Sequence, residues 1–467
     1  MVRVANPTAE KTASLSAVGA LRSRRPMIAD LILGLSSRDT RTMSSVDARP
    51  KAGSLDDAVT GGRVREVQIR NYKSIGQATV KMGGLTILVG PNGAGKSNFL
   101  DALAFVSDSL SDSVELAFKN RGGLGSVRRR SGGHPTHIGI RLIADLSPDT
   151  VADYSFEIAA EKGEQFSVAR ERCHVEWFMG ESHSFDVERG HFKTPIQGIR
   201  PSVAEDRLAL FAASATPEFR PVYDFLTGMR FYSIVPSELR KLQPPDSGDL
   251  LRRDGGNAAA VLKRIKAESP DRYQRINPLL AAAVSGIESV DHKSVGQWET
   301  LEFREDVGQK HPWTFDALNV SDGTLRLVGL LIAVYQPGRA TVLGIEELEA
   351  TVHPAVAEQI LEVLVDAARF RQVVVTTHSP DLLDFRDLQD DQVRVVTNPH
   401  NTTVIADLAA TSRQAVRERL FTTGELMRAG ELEGDADGAV ALADQLSRPG
   451  SITVVRVYGD RFLGVMR

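Results

Sequence analysis

Between Leu85 and Ser107 the chain passes from an apolar run, Leu85-Thr-Ile-Leu-Val89, through Gly90-Pro-Asn-Gly-Ala-Gly95-Lys96-Ser97 into a second apolar stretch, Asn98 to Ser107. That order predicts a short buried strand, a glycine-rich turn and a helix, and the turn satisfies G-x-x-x-x-G-K-[ST] in full. Glycines let backbone N–H groups converge at the positive end of a helix, so the loop is suited to holding phosphate. Lys96 would reach the β- and γ-phosphates of a nucleotide, and the Ser97 hydroxyl would ligate Mg²⁺. Gly90, Pro91, Asn92, Gly93, Ala94, Gly95 and Asn98 complete the expected cradle.

A second apolar run, Thr341-Val-Leu-Gly-Ile345, ends in Glu346-Glu347. Strand ends are where ligands sit in open α/β sheets, so Glu346 is the candidate for the magnesium shell and Glu347 for the general base that orients water. Adjacent acids after a strand are by themselves more often a solvated strand end; the phosphate loop upstream reverses that weighting. Val373-Val-Val-Thr-Thr377-His378-Ser379-Pro380 is a third buried strand, ending in a histidine that would meet the γ-phosphate or the attacking water. Asn319-Val-Ser321-Asp322-Gly323-Thr324 precedes the apolar segment Leu325 to Tyr335, with Ser321 as N-cap. This helix start is a plain capped terminus, or an anion site for the γ-phosphate of ATP held on a second molecule.

Five segments are expected. Residues 1–62, rich in Ser, Thr, Ala, Arg and Asp without sustained apolar periodicity, read as a disordered extension, with Met27 or Met43 as alternative starts. Residues 63–134 form the first half of a nucleotide-binding head, 135–300 an inserted subdomain, first β-rich and then helical, and 301–408 the second half. Residues 409–467 hold short helices and a hairpin around Gly459-Asp460. No heptads persist, so the insertion is compact rather than a coiled-coil rod. The longest apolar stretch, Leu327 to Tyr335, falls far short of the ~20 residues of a membrane span and reads as a core helix. With Cys173 as the single cysteine, neither an intramolecular disulfide nor a Cys-based zinc cluster can form, and a reducing cytoplasm is the simplest home. The net charge of −4 gives no global attraction to nucleic acid, leaving any such contact to a local patch.

Taken together, these motifs resemble the ABC/SMC-like P-loop ATPases of the AAA15/AAA21 group, relatives of the RecF, Rad50 and overcoming-lysogenization-defect ATPase heads. The resemblance spans roughly Val64 to Leu408. It rests on Ile69-Arg-Asn-Tyr-Lys73-Ser74-Ile75, the phosphate loop, Ser321-Asp-Gly-Thr324, Ile345-Glu-Glu-Leu-Glu349 with His353-Pro354, and Thr377-His-Ser-Pro380. It implies an α/β P-loop NTPase of the ABC-ATPase type, with an inserted α+β subdomain between the Walker A and Walker B halves. It further implies ATP and Mg²⁺ as cofactors, slow ATP hydrolysis, and a homodimer of heads that sandwiches two ATP molecules. Each nucleotide would be bound by the loop of one copy and by Ser321, Asp322, Gly323 and Thr324 of the other. Leu348 stands where the family more often has proline, and no Q-loop glutamine can be assigned.

Arg128, Arg129 and Arg130, among flexible glycines, suit phosphate contacts on DNA or RNA, or equally a solvated loop. No nuclease signature follows the core, and the run Glu431, Glu433, Asp435, Asp437 reads as a solvated loop, so any cleavage would fall to a separate effector. The family points to DNA repair or antiviral defence. A regulatory switch for a protein partner without DNA is the alternative, and a transporter ATPase a minor one, because Lys96 and Glu346 are 250 residues apart.

Overall fold

A computed structural model describes residues 62–130, 137–178, 180–194, 202–308, 312–338, 340–348, 357–385, 388–446, 457–458 and 461–462. The expectation for residues 1–61 lies outside that range, as do Glu349, His353, Pro354 and the turn Gly459-Asp460.

Strand β1 (Arg63–Tyr72) turns through Lys73-Ser74 into β2 (Ile75–Lys81), and β3 (Leu85–Val89) then delivers the chain to the phosphate loop and helix α1 (Lys96–Ser111). Two short helices, α2 (Val114–Lys119) and α3 (Leu124–Val127), lead to β4 (His137–Ser147), β5 (Thr150–Ala160), β6 (Phe166–Trp177), β7 (Ser182–Glu188) and β8 (His191–Phe192). β4, β5 and β6 are longer than the runs that alternation predicts, His137 to Ala144, Asp153 to Ala159 and His174 to Phe178. β4 pairs antiparallel with β1, giving a seven-stranded sheet in the order β2-β1-β4-β5-β6-β7-β8 that crosses the expected 134/135 boundary.

Helices α4 (Ala209–Ala213) and α5 (Arg220–Thr227) precede β9 (Arg230–Tyr232) and α6 (Pro236–Arg240). Next come α7 (Ala258–Glu268), α8 (Pro270–Ala283) and the three-stranded antiparallel sheet β10 (Ile287–Val295), β11 (Trp298–Glu305) and β12 (Trp313–Asp316). The chain continues through α9 (Asp322–Tyr335), β13 (Val342–Ile345), α10 (Ala357–Ala367), β14 (Gln372–Thr377), β15 (Val393–Thr397) and β16 (Val404–Asp407). It ends with α11 (Ala410–Arg417), α12 (Thr423–Ala429), α13 (Ala436–Leu446) and a small pair, β17 (Val457–Tyr458) with β18 (Arg461–Phe462).

The second large sheet has the order β16-β15-β3-β14-β13-β9 and is parallel except for β16. β3, β13 and β14 are buried along their whole length, as strands covered on both faces must be, which accounts for their near-continuous apolar runs. Alternate residues feed two cores. Leu88, Val342, Val374 and Val396 join α1 and the antiparallel sheet, whereas Leu85, Ile87, Val89, Leu343, Val373, Val375, Val393 and Val395 join α7, α9 and α10. Helix α1 is therefore packed between the two large sheets and has little freedom to shift. The apolar stretch read as a core helix is α9, whose residues from Leu327 to Val334 are buried; among described residues no helix is long and apolar enough to cross a membrane.

One polar group sits deep in the antiparallel lobe. Glu171 on β6 is 1% exposed and accepts hydrogen bonds from the Ala209 and Leu210 N–H groups and from the Tyr154 hydroxyl. Burial raises its carboxyl to about 7 against the pull of those donors. Since the folded value lies above the unfolded one, this group's stabilising contribution is complete below pH ~4.5 and is lost as pH rises towards 7. The stability advantage of the wild type over Glu171→Gln should shrink by about 2–3 kcal/mol between pH 5 and 8 in urea unfolding. Parallel profiles for the two proteins would exclude Glu171 as the titrating group.

Candidate nucleotide site

The phosphate loop leaves β3 at Gly90 and enters α1 through Gly95, whose φ of 105° is in the left-handed region. Space as well as conformation demands glycine here. A Cβ on Gly90 would stand 2.0 Å from the Val396 carbonyl oxygen, and one on Gly95 2.0 Å from Thr403 Oγ1. The loop is thus pressed against the chain leaving β15, and hydroxyls lace the two together. Thr403 Oγ1 donates to the Ala94 carbonyl (2.8 Å) and lies 2.6 Å from Ser74 Oγ, which accepts from Asn98 Nδ2 (2.6 Å). Asn398 Nδ2 donates to the Gly93 carbonyl (3.1 Å).

Lys96 is buried and its ammonium donates to the Gly90 and Pro91 carbonyls (2.7 and 3.0 Å), while Pro91, Asn92 and Gly93 form the exposed tip. Ser97 is half-buried in the first turn of α1, which has neither an acidic residue nor a side-chain cap. The positive helix end is therefore presented to the loop undiluted. Asn98, expected in the cradle, directs its amide to Ser74 and braces the loop from behind.

Glu346 and Glu347 follow β13, and His378 follows β14, the strand between β3 and β13. The parallel arrangement therefore gathers the loop, both acids and the histidine at one edge of the sheet. Glu347 is exposed and holds φ at 50°, a conformation costing a non-glycine residue roughly 1–2 kcal/mol. Its N–H donates to the buried Thr376 hydroxyl (2.9 Å), tying the strained peptide to the histidine strand. His378 is exposed, and Thr377 Oγ1 accepts from the Ser379 N–H (3.0 Å).

Glu346 receives the Arg253 guanidinium (2.9 Å). Burial raises its carboxyl; Arg253 opposes this, and the negative charges of Asp101 and Glu347 add to it. One hydroxyl and one carboxylate beside a phosphate loop form a hard oxygen donor set that suits Mg²⁺, which keeps waters and substrate phosphates in its shell. A shallow cleft lined in part by Tyr232, Ser233, Arg326, Leu330, Glu346 and Glu347 opens beside the acids.

Ser321 caps α9 as expected, its hydroxyl accepting from the Thr324 N–H (3.2 Å) and lying 2.8 Å from Thr324 Oγ1. Asp322 pairs with Arg240, which also donates to the Val320 carbonyl (2.8 Å). Ser321, Asp322 and Gly323 are exposed, and a Cβ on Gly323 would meet nothing within 4 Å. The recorded polar partners of this terminus are Arg240 and its own residues, not the phosphate loop of the same chain.

Residues 85–384, well over half of the chain, match the family model described as "AAA domain, putative AbiEii toxin, Type IV TA system". The chain belongs to this family. It is an ABC/SMC-like P-loop protein of the AAA21 group, and its nucleotide-loop strand opens the matched region. No curated protein matches the sequence. Among solved structures, an SMC head domain from Thermotoga maritima is 16% identical, covering 74% of this chain and 100% of that one, with a TM-score of 0.36. The SmcHead bound to the C-winged helix domain of ScpA is 15% identical over 75% and 99% of the two chains, at 0.43. An Smc head domain with an extended coiled coil, bound to the C-terminal domain of ScpA and derived from Pyrococcus furiosus, is 12% identical over 77% and 99%, at 0.45. Likenesses at this level add nothing to the fold already described.

The structure separates the three arginines expected at a nucleic-acid contact. Arg129 donates to the Ser74 carbonyl (2.6 Å) and to Thr402 Oγ1 (2.8 Å), joining the wall behind the loop; Arg128 is half-buried and Arg130 exposed. Sequence reasoning missed this brace, and it missed Arg253 on Glu346, because the partners are 273 and 93 residues apart and no spacing rule marks them. Arg129→Ala should lower the unfolding free energy of nucleic-acid-free protein by about 1–2 kcal/mol, since it removes two charge-assisted hydrogen bonds to half-buried partners. Arg130→Ala should change it by less than about 0.5 kcal/mol. Equal effects in urea unfolding would remove Arg129 from the brace.

Proposed function

We propose that this chain is an ATP-hydrolysing head that works by nucleotide-dependent closure of two copies, in antiviral defence or DNA repair, through a separate effector. The observation that carries the proposal is the start of α9. Glycine in a helix costs about 1 kcal/mol relative to alanine, yet Gly323 has no left-handed φ and no neighbour that would exclude a side chain. Among the described residues nothing requires a glycine there. An exposed helix start that presents Ser321, Asp322 and a glycine without a side chain suits close approach by the γ-phosphate of a nucleotide held on another copy.

In this reading Lys96 and the loop N–H groups bind the β- and γ-phosphates, and Ser97 and Glu346 hold Mg²⁺, which offsets charge on the transferred phosphoryl group. Glu347 orients the attacking water and accepts its proton, its strained backbone fixing the carboxylate at the sheet edge. His378, from the strand between, meets the γ-phosphate. Closure by the second copy excludes water and completes the constellation.

The family description, with its toxin and type IV TA system, supports the defence arm. The engagement of Arg129 in the loop brace leaves fewer free cations for DNA than the sequence offers, which favours a partner-protein switch as the second reading.

Light scattering of purified Glu347→Gln protein with and without Mg-ATP tests the cycle. The mass should double with Mg-ATP, whereas Lys96→Ala should lose nucleotide binding and stay unchanged. A Glu347→Gln protein that hydrolyses ATP at the wild-type rate would disprove the base assignment. Gly323→Glu, introduced on the Glu347→Gln background, should bind nucleotide with ordinary affinity and fail to double; doubling would show that α9 lies away from the interface. Added duplex DNA co-eluting with the doubled species favours the DNA arm, and its exclusion favours the protein switch.

A further inference from the structure

Residues 409–446 lie beyond the family match, yet they grip the segment that carries His378. That segment leaves β14 at Thr377, passes through a short turn at Asp381–Leu383 and returns to the sheet at β15. At its near end Arg428 on α12 donates to Asp384 (3.0 and 2.5 Å) and to Asp381 (2.5 Å), and Thr422 Oγ1 donates to Asp384 (2.8 Å). Gly424 lies so close that a Cβ there would stand 2.2 Å from the Pro380 carbonyl oxygen. At the far end Arg417 and Arg413 on α11 pair with Asp390 at 2.9 and 3.6 Å. The base of the helix pair is fixed to the sheet, where the Ala409 N–H donates to the Glu433 backbone carbonyl (2.9 Å), the Asp435 N–H donates to the Asp407 backbone carbonyl (2.8 Å), and Leu408 bridges Gly434.

Asp381 is only three positions after His378, so a carboxylate held at Asp381 restrains the histidine within about 10 Å of chain. We propose that α11 and α12 form a positioning element for the ATPase switch, with Arg428 as the residue that sets the place of His378. Helix α12 is itself pre-set for this by a capping box between Thr422 and Glu425 and by the left-handed Gly430 that ends it. Arg428 is 42% exposed, and ion pairs that open contribute little to folding. Its forked geometry on two carboxylates instead fixes direction, a role lysine fills only in part.

The proposal rests on His378 acting in ATP turnover, and the test separates the two. ATP hydrolysis, affinity for a non-hydrolysable ATP analogue and melting temperature are measured on full-chain Arg428→Ala, Arg428→Lys, His378→Ala and the Arg428→Ala/His378→Ala double variant. Arg428→Ala should lower kcat about tenfold, leave analogue affinity within about twofold and hardly move the melting temperature; Arg428→Lys should recover part of the rate. The double variant should be no slower than His378→Ala, since a residue acting through another adds nothing once that one is gone. Independent, multiplying losses would overturn the positioning role, as would Arg428→Ala turning over within about twofold of wild type while His378→Ala is slow. Wild-type turnover by His378→Ala would instead remove the histidine from the mechanism, and the positioning role with it.

Discussion

The phosphate loop keeps its shape because a wall stands behind it. Gly90 and Gly95 have no room for a side chain against Val396 and Thr403, and the Thr403 hydroxyl ties Ala94 to Ser74. Much of the sheet order is tied to that contact. The chain leaving β15 must run beside β3, the β1–β2 turn must reach across to deliver Ser74, and Arg129 must return from beyond α3 to hold Ser74 in place. A loop assembled from such distant pieces is rigid before any phosphate arrives. Less ordering is then charged to binding, which is how preorganised sites gain affinity.

The same rigidity makes the strain at Glu347 affordable in structural terms. β13 is buried along its length and paired on both sides, and the Thr376 hydroxyl receives the Glu347 N–H from the neighbouring strand. A residue held at φ 50° by its surroundings aims its side chain without waiting for a ligand to do so. One strand thus serves two roles, since β14 carries both Thr376 and, just beyond its end, His378. Any displacement of β14 would move Glu347 and His378 together.

What the sequence disclosed and what it hid divide along contact distance. β3, the Ser321 cap and the apolar body of α9 were legible because each depends on neighbours a few residues away: a buried run, a hydroxyl three positions before its N–H, a stretch of large aliphatics. The antiparallel sheet was only partly legible. Its strands alternate, but the pairing of β4 with β1 joins segments about 70 residues apart, and alternation does not name a partner. Asn98 reads as ligand-facing because it sits in a phosphate motif, and Arg129, in a basic loop, reads equally as a phosphate contact or as solvated. Their hydrogen bonds to Ser74 and Thr402 emerge only when the chain is folded. The motif gives residue types; the burial of each group decides which are free.

The same distinction separates two carboxylates near the loop by how fully each is already engaged. Asp101 stands one helical turn past Ser97. Its oxygens are taken by Arg121 (2.8 Å), Lys73 (2.6 Å) and the Tyr72 hydroxyl (2.8 Å), with Arg121 and Asp101 only 5% and 10% exposed. Burial would raise the Asp101 carboxyl, but Arg121 and Lys73 outweigh it and hold the group below the usual carboxylate range. Removing one partner from such a buried set costs about 3–5 kcal/mol. Among the described residues Glu346, 16% exposed at its side chain, has one cation partner, Arg253, which is 47% exposed and open to replacement from solvent. Another cation can take the place of Arg253 there, whereas the same exchange at Asp101 would break its contacts with Arg121, Lys73 and Tyr72 together.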